Sequence, residues 1–204
     1  MKKELTKQEL EALYLPPSDD FTLIEVPRIK YFMLDGQGNP KLPAHAEAIR
    51  WLWATVYPIR RIAKERMGKR FIEPPLEGLY WTEDPADFAE GRLDKLSWRL
   101  MIPAAEWMDE ALLQEAIASA AERLGDPPAS LRLEHMQEGL CAQIMHIGPP
   151  AGQRASLECL HGEFLPERDL VACGPHHEIY LNDPQRTAPA KLKTVLRQPV
   201  RPAS

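Results

Sequence analysis

A stretch near the C-terminus, "HHEIYLNDP" from His176 to Pro184, places a glutamate among residues typical of a buried β-strand. Because the side chains of a strand alternate between two faces, His176, Glu178 and Tyr180 would share one face. A carboxylate in apolar surroundings is costly unless it reaches solvent, pairs with another group or serves a site. Aromatic walls would raise its pKa by desolvation, which suits a general base or the counter-charge of a bound cation.

Other motifs that would indicate a metal site, a phosphate-binding loop or a serine nucleophile are missing from the sequence. The histidines and cysteines of the second half show neither the i, i+4 spacing of a helical zinc site nor a C-x-x-C pair. "DGQGNP" has no third glycine and no Lys-Ser/Thr after it, so we interpret it as a turn and not as a phosphate-binding loop. A G-x-S-x-G elbow for serine hydrolysis is also missing. The sequence predicts neither a metal nor an organic cofactor.

Composition and charge restrict the class of protein. A chain of 204 residues with 44% hydrophobic residues fits one large domain or two small fused units with a buried core. A formal net charge of −5 argues against a nucleic-acid partner. No stretch has the apolar character of a signal peptide or approaches the roughly 18 apolar residues of a membrane helix, and three widely spaced cysteines suggest no disulfide framework. We therefore expect a cytoplasmic protein without a membrane or nucleic-acid partner.

Turn residues and hydrophobic spacing predict the elements of the first half. After a polar leader over residues 1–20, "FTLIEVPRIKYFMLDGQGNP" predicts a strand, a turn and a second strand. A helix is predicted over residues 44–67, with Pro58 expected to kink or break it near Tyr57. "PPLEGLYWTEDP" and "KLSWRLMIP" then predict two strands around a loop at 82–94. A helix over 108–124, closed by Gly125, follows.

The second half repeats the order of the first. "LRLEHMQEGLCAQIMHIGPP" again predicts strand, turn and strand, "QRASLECLHGEFL" a helix, and "HHEIYLNDP" and "KLKTVLRQPV" two strands. The pattern K-L-x-x-x-L-x-x-P occurs at residues 95–103 and again at 191–199, and Asp84-Pro85 matches Asp183-Pro184. An ordered set of matches predicts an internal repeat.

The predicted fold class is therefore α+β. Residues 1–204 would form a single domain of two tandem pseudo-symmetric β-β-α-β-β modules, at 21–104 and 130–202, joined by a helix and loop at 105–129. The modules are expected to form a concave antiparallel sheet backed by helices, with a ligand in a central cleft.

The repeat alignment predicts an asymmetric site. Aligning Tyr80 with Tyr180 places Gly78 opposite Glu178, so two tyrosines would face one space while only the second half supplies a carboxylate. Among the tryptophans, Trp98 is the candidate for lining this space, with ordinary packing as the alternative. Trp51 and Trp53 are two residues apart on a helix, so at least one is expected to pack in the core.

These motifs together resemble the GyrI-like small-molecule-binding family, including its stand-alone bacterial members. The resemblance rests on "CAQIMHIGPP", "HHEIYLNDP" and "KLKTVLRQPV", and on "MLDGQGNP" and "GLYWTEDP" in the first half, and it spans about residues 21–200. It implies two tandem modules with a cleft for bulky hydrophobic, often cationic, ligands. Relatives include effector-binding domains of multidrug-sensing regulators, and no DNA-binding helix-turn-helix precedes the repeat here.

The resemblance also implies roles for residues. Some stand-alone members are hydrolases that open the cyclopropane ring of DNA-alkylating toxins, and their catalytic positions correspond to Glu178 and Tyr180. The expected ligand-binding residues are Tyr80, Trp98, Cys141, Gln143, His176, Glu178 and Tyr180. The alternative is a non-catalytic protein that binds or sequesters a cation through Glu178, and a less favoured one is a factor that protects DNA gyrase by direct contact. We expect a monomer and no cofactor.

Overall fold

A computed structural model describes residues 7–68, 74–84, 86–87 and 90–203 of the chain. The fold is α+β, with antiparallel strands backed by helices. In chain order the helices and strands are α1 (Lys7–Tyr14), β1 (Thr22–Val26), β2 (Ile29–Gln37), α2 (Pro43–Met67), β3 (Leu76–Trp81), β4 (Ser97–Ala104), α3 (Glu110–Leu124), β5 (Arg132–Met136), β6 (Gly139–Ile147), α4 (Gln153–Cys159), β7 (Leu170–Ala172), β8 (His176–Tyr180) and β9 (Lys193–Pro202).

The chain divides into two compact units, and their boundaries differ from those of the two halves of the sequence. We call Ile29–Met136 the central unit, and Met1–Arg28 with Gln137–Ser204 the terminal unit. In the central unit the strands pair in the order β3-β4-β2-β5, and in the terminal unit in the order β1-β6-β9-β8, with β7 also paired to β9. Within each unit, the strand pairs of the described residues are antiparallel.

The helices of the central unit begin and end where their capping residues predict. α2 starts at a proline, whose missing N–H costs nothing at that position, and Gly68 ends it in the left-handed conformation at φ 62°. Asp109 caps α3 by accepting a hydrogen bond from the backbone N–H of Leu112. α2 packs on β2 and β4, and α3 packs on α2, so both helices lie on one side of this unit's strands.

The core of the terminal unit lies between its strands and the helical segment after β6. α4 continues as a π-helical turn over Leu160–Phe164. Apolar residues of that segment pack on the strands as one cluster, which contains Phe21, Ala142, Ile144, Leu160, Phe164, Leu165, Leu196 and Val200. On the opposite face of these strands, Tyr14 of α1 packs against Met145, Ile179 and Val195.

The first strand of each half pairs outside its own half. β1 pairs with β6, with Thr22 opposite Gln143, although the turn after β1 leads directly to β2. β5 pairs with β2, with Met136 opposite Ile29, although the next strand in the chain is β6. The two strands of each strand-turn-strand segment, β1 with β2 and β5 with β6, therefore do not pair with each other. Each of them forms its hydrogen bonds with other strands.

Several sequence predictions can be compared with the described residues. The two long helices and the strands are confirmed, and Trp51 is buried in the core. Of the two alternatives expected at Pro58, a kink or a break near Tyr57, the break is wrong, because α2 continues through Pro58. α1 and the short strand β7 were not predicted. Residue Pro85, parts of the 82–94 loop and the first six residues of the leader lie outside the described residues. No helix in the described part of the chain is long and apolar enough to cross a bilayer.

Candidate functional site

Glu178 lies on the helix-backed face of β8 in the terminal unit. It stands opposite Leu196 of β9, and Tyr180 stands opposite Thr194, so these side chains share the face that packs on α4 and its π-turn. The Glu178 side chain is 20% exposed and lies beside that of His176, with 3.9 Å between Oε1 and Nε2. The side chains of Tyr180 and Gln153 both hydrogen-bond to its carboxylate. The structure thus brings together three residues that the sequence predicted, His176, Glu178 and Tyr180.

Burial sets the protonation of this cluster. Desolvation raises the pKa of the Glu178 carboxyl, and the hydrogen bonds from Tyr180 and Gln153 offset only part of that shift. Desolvation also lowers the pKa of His176 to about 3, so its imidazole is neutral near neutral pH. The contact between His176 and Glu178 is therefore not an ion pair. A carboxylate that is costly to ionise and held by two donors is suited to accept a proton.

The neighbouring residue His177 belongs to a different cluster on the other face of β8. Its Nδ1 lies 2.9 Å from Oε1 of Glu138, whose Oε2 accepts a hydrogen bond from Arg197 at 3.2 Å. Burial would raise the pKa of Glu138, but His177 and Arg197 together hold it at about 2. Arg197 Nη2 also donates to the carbonyl oxygen of Leu13 at 2.6 Å. Both oxygens of the buried Glu138 carboxylate thus have a partner, which is typical of a structural polar cluster.

The structure does not bring Cys141 and Gln143 together with Glu178. In the pairing of β6 with β9, Gln143 stands opposite Arg197 and Cys141 opposite Pro199, which places both on the His177 face. Gln143 accepts from Arg197 Nε at 3.1 Å and donates to the Ala12 carbonyl at 2.8 Å. Burial strongly raises the pKa of the Cys141 thiol. Strand alternation separates these two residues from Glu178.

The central unit contains the other two predicted site residues. Tyr80 of β3 stands directly opposite Trp98 of β4, so the two rings share one face, and both are buried. His45, in the first turn of α2, places Nε2 3.3 Å from the Tyr80 hydroxyl oxygen and its ring edge-on to Trp98 at 5.0 Å. Burial lowers the pKa of His45, which favours its neutral form.

Two glycines make room for the aromatic rings of this cluster. A Cβ on Gly36 would lie 2.1 Å from a ring carbon of Trp98, and a Cβ on Gly78 would lie 2.7 Å from the Tyr80 hydroxyl. Gly78 is the residue that the repeat alignment places opposite Glu178. The position that carries a carboxylate in one half is therefore occupied in the other half by a tyrosine ring, since glycine leaves the space open.

Sequence analysis missed Gln153 and His45. Each lies in the first turn of the helix that follows the second strand of its half. His45 contacts Tyr80 of β3, and Gln153 contacts Glu178 of β8. Helix prediction locates these positions, but the contact depends on how the helix packs on the strands. No group of three or more His, Cys, Asp or Glu side chains in the described ranges is arranged to hold a metal ion.

The fold and the buried carboxyl cluster define a small-molecule-binding domain, and a family comparison agrees. Residues 19–201 match the GyrI-like small molecule binding domain. The chain belongs to this GyrI-like family. A comparison with curated protein sequences gives no significant match.

Solved structures give the same result. An uncharacterized conserved protein from Listeria innocua is 30% identical, with a TM-score of 0.85 over 96% of this chain and 98% of that one. A structure described as a hydrolase from Listeria innocua is also 30% identical, with a TM-score of 0.79 and the same coverage. The EcmrR C-terminal domain, at 11% identity and a TM-score of 0.55 over 90% of this chain and 98% of that one, shares the fold.

Proposed function

We propose that the protein binds bulky hydrophobic small molecules and hydrolyses those that carry an electrophilic cyclopropane ring, with Glu178 as general base. The observation that carries this proposal is the Glu178 carboxyl, which burial makes costly to ionise while Tyr180 and Gln153 hold it in place. The similarity to a hydrolase of 30% identity over nearly the whole chain supports a hydrolytic reaction. The proposed ligand-binding aromatic residues of the central unit are Tyr80 and Trp98.

The proposed step needs only water and the side chains of the chain. The Glu178 carboxylate takes one proton from a water molecule while the water oxygen forms a bond to a ring carbon. The strained carbon–carbon bond breaks, and its electron pair moves to the conjugated carbonyl oxygen. Once Glu178 holds the proton, the Tyr180 hydroxyl can leave it and donate its hydrogen bond to that oxyanion. The oxyanion then takes the proton from Glu178, which restores the carboxylate.

The neighbours of Glu178 have separate roles in this step. Gln153, buried at the start of α4, donates to the carboxylate and fixes its orientation. His176 is neutral near neutral pH, so it contributes no positive charge that would keep Glu178 ionised and weaken it as a base. A base whose pKa is raised toward the working pH transfers protons more effectively than an ordinary surface carboxylate.

Replacement of Glu178 by glutamine tests the proposal. Glu178→Gln keeps the size of the side chain but cannot accept the proton, so we expect turnover to fall at least about 100-fold. The measurement incubates the wild type and the variant with a cyclopropane-containing DNA-alkylating compound and follows the ring-opened water adduct by mass spectrometry. Glu158→Gln is the matched control, because Glu158 is an exposed carboxylate of the same unit that pairs with Arg154.

The outcomes separate hydrolysis from binding alone. Product formed by the wild type and the control, but not by Glu178→Gln, supports the hydrolase. Tight binding of the compound by all three proteins without product would remove the enzymatic proposal. Glu178 would then serve as the counter-charge of a ligand, and a lipophilic cation such as tetraphenylphosphonium should bind the wild type more tightly than Glu178→Gln.

A further inference from the structure

The outer side of α2 carries cationic and aromatic side chains. Residues three and four apart lie on one side of a helix, and this spacing places six such residues together. We call them the α2 stripe: Arg50, Trp53, Tyr57, Arg60, Arg61 and Lys64. The buried side chains on the other side of the helix include Ala48, Leu52, Val56, Ile59 and Ala63. The α2 stripe therefore faces away from the core of the central unit.

The aromatic rings of the α2 stripe are partly exposed. Trp53 and Tyr57 stack on each other, with 5.6 Å between ring centroids and 28° between ring planes. Tyr57 is 54% exposed, and Leu42, just before the first turn of α2, is 56% exposed. Tryptophan and tyrosine rings combine an apolar body with a polar atom, so they suit the border between water and an apolar phase.

Three cations of the α2 stripe are available to a partner. Arg50, Arg61 and Lys64 are exposed, and none of them forms an ion pair with a residue that the structure describes. Arg66, on another side of the same helix, is instead paired with Glu115 at 2.9 Å. α2 holds five basic and two acidic residues, whereas the whole chain has a formal net charge of −5. The fold thus collects positive charge on one surface of an acidic protein, and such a surface attracts an anionic partner.

The shape of this surface favours a lipid bilayer over a nucleic acid. The α2 stripe extends for about 21 Å along the outer side of a single helix, which is convex. Proteins that bind single-stranded nucleic acid use a groove that follows the phosphate backbone, and a convex helix side offers none. A bilayer surface is a plane on which an exposed helix side can lie, with its aromatic rings among the headgroups and its cations beside the lipid phosphates.

We propose that the α2 stripe is a docking surface for membranes that contain anionic phospholipids. Arg50, Arg61 and Lys64 contact the lipid phosphates, while Trp53 and Tyr57 place their rings among the headgroups. The expectation of no membrane partner rests on the lack of a spanning segment, and a peripheral surface needs none. Lipophilic small molecules concentrate in bilayers, so docking brings the domain close to such ligands, but it does not depend on their hydrolysis.

Sedimentation with lipid vesicles tests the docking surface. The wild type is mixed with vesicles of phosphatidylcholine alone or of phosphatidylcholine with phosphatidylglycerol, and the bound fraction is measured. We expect binding only to the vesicles with phosphatidylglycerol, and loss of that binding at high salt. Combining Arg50→Gln, Arg61→Gln and Lys64→Gln should weaken it about 100-fold, because each cation near such a surface contributes about fivefold.

A second triple variant controls for the change in net charge. Arg154→Gln, Lys191→Gln and Arg201→Gln remove three exposed cations of the terminal unit, so the net charge falls by the same amount. This control should bind the anionic vesicles as the wild type does. Both triple variants change only exposed side chains, and the comparison of lipids and salt in the wild type needs no variant at all.

Fluorescence quenching tests the contact of the aromatic pair. Vesicles with brominated acyl chains quench tryptophans that reach the headgroup border, so we expect quenching in the wild type and its loss in Trp53→Phe. Trp107→Phe, the same change at another half-buried tryptophan, should keep the quenching. Equal binding to both kinds of vesicle, equal weakening of both triple variants or unchanged quenching in Trp53→Phe would each overturn the proposal. Binding of a single-stranded oligonucleotide without binding of vesicles would also overturn it.

Discussion

At the residue scale, the adjacent residues His177 and Glu178 point to opposite faces of one strand, His177 into a buried ionic cluster and Glu178 into the proposed site. The Nδ1 atom of His177 faces inward to Glu138 at 2.9 Å, while Glu178 faces the helix-backed side with a raised pKa. A carboxyl whose pKa is raised on folding destabilises the folded protein once it is ionised. We therefore interpret Glu178 as a residue retained for function at a cost in stability.

The stability of Glu178→Gln tests that interpretation. The folded pKa is above the unfolded value of about 4.3, so the penalty is absent below that pH, grows as pH rises toward the folded pKa, and stays constant above it. At neutral pH we expect the variant to unfold with a free energy about 0.5–2 kcal/mol higher than that of the wild type. Chemical denaturation at pH 4 and pH 8 measures the difference, and a less stable variant at pH 8 would contradict the prediction.

The pH dependence of turnover gives a second prediction at this scale. The base must be ionised to take a proton from water, so the rate should rise with pH through the raised pKa of Glu178. The acidic limb of kcat should therefore lie above the range of an ordinary glutamate, which is centred near about 4.3. A rate that is flat from pH 4 to pH 8 would argue against Glu178 as the base.

At the element scale, α1 is attached to the terminal unit through buried polar groups as well as apolar packing. The carbonyls of Ala12 and Leu13, in its last turn, accept hydrogen bonds from Gln143 and Arg197. A helix C-terminus leaves carbonyls unsatisfied and carries partial negative charge, so a buried guanidinium is a favourable partner. Residues 7–14 of the leader, which the sequence presents as polar and featureless, are therefore part of the folded structure.

Replacement of Arg197 should weaken the attachment of α1 and destabilise the protein. Arg197→Met removes the cation but leaves the Glu138 carboxylate buried, so we expect a loss of about 3–5 kcal/mol in the free energy of unfolding. Arg154→Met, at an exposed pair with Glu158, should leave it nearly unchanged, because solvent screens the charges of such a pair. Urea denaturation measures the free energy of unfolding of both variants. Equal free energies would contradict a stabilising role of Arg197 in this cluster.

The same cluster predicts an acid sensitivity. Because the pKa of Glu138 is lowered to about 2 in the folded protein, its contribution is fully present above the unfolded pKa of about 4.3 and is lost as pH falls toward 2. The stability difference between the wild type and Glu138→Gln should therefore be largest at pH 6–7 and should shrink below pH 4. A difference that stays constant down to pH 3 would contradict this origin.

At the scale of the whole molecule, the order of the chain and the order of the strands differ. The central unit is contiguous, whereas the terminal unit is assembled from both ends of the chain. β1 must reach β6, more than a hundred residues later, before its backbone groups are satisfied. Contacts of such long sequence separation form slowly, because closing the loop costs entropy before the contact can stabilise the chain.

Fragments of the chain test this organisation. Residues 29–136 contain β2, α2, β3, β4, α3 and β5 and should show helical circular dichroism and a cooperative thermal transition. Residues 21–104 match the repeat but lack α3 and β5, so their α2 and β2 lose packing partners, and we expect them to melt without cooperativity. A cooperative transition in 21–104 and not in 29–136 would favour the sequence module as the folding unit.

The sequence by itself determined most of the helices and strands, the fold class and the strand face that Glu178 and Tyr180 share. Strand alternation is a local property, so it correctly separated the His176, Glu178 and Tyr180 face from the His177 face. Capping residues are equally local, and Gly125 marked the end of α3 where it occurs.

Only the tertiary structure decided which elements meet. The roles of Gln153 and His45 depend on how a helix packs on a strand, and the placement of Gln143 beside Arg197 depends on strand register. The strands that pair with β1 and β5 could not be predicted from the sequence, because every residue type forms the same backbone hydrogen bonds apart from proline. Long-range pairing and packing fix these contacts, and no pattern along the chain encodes them directly.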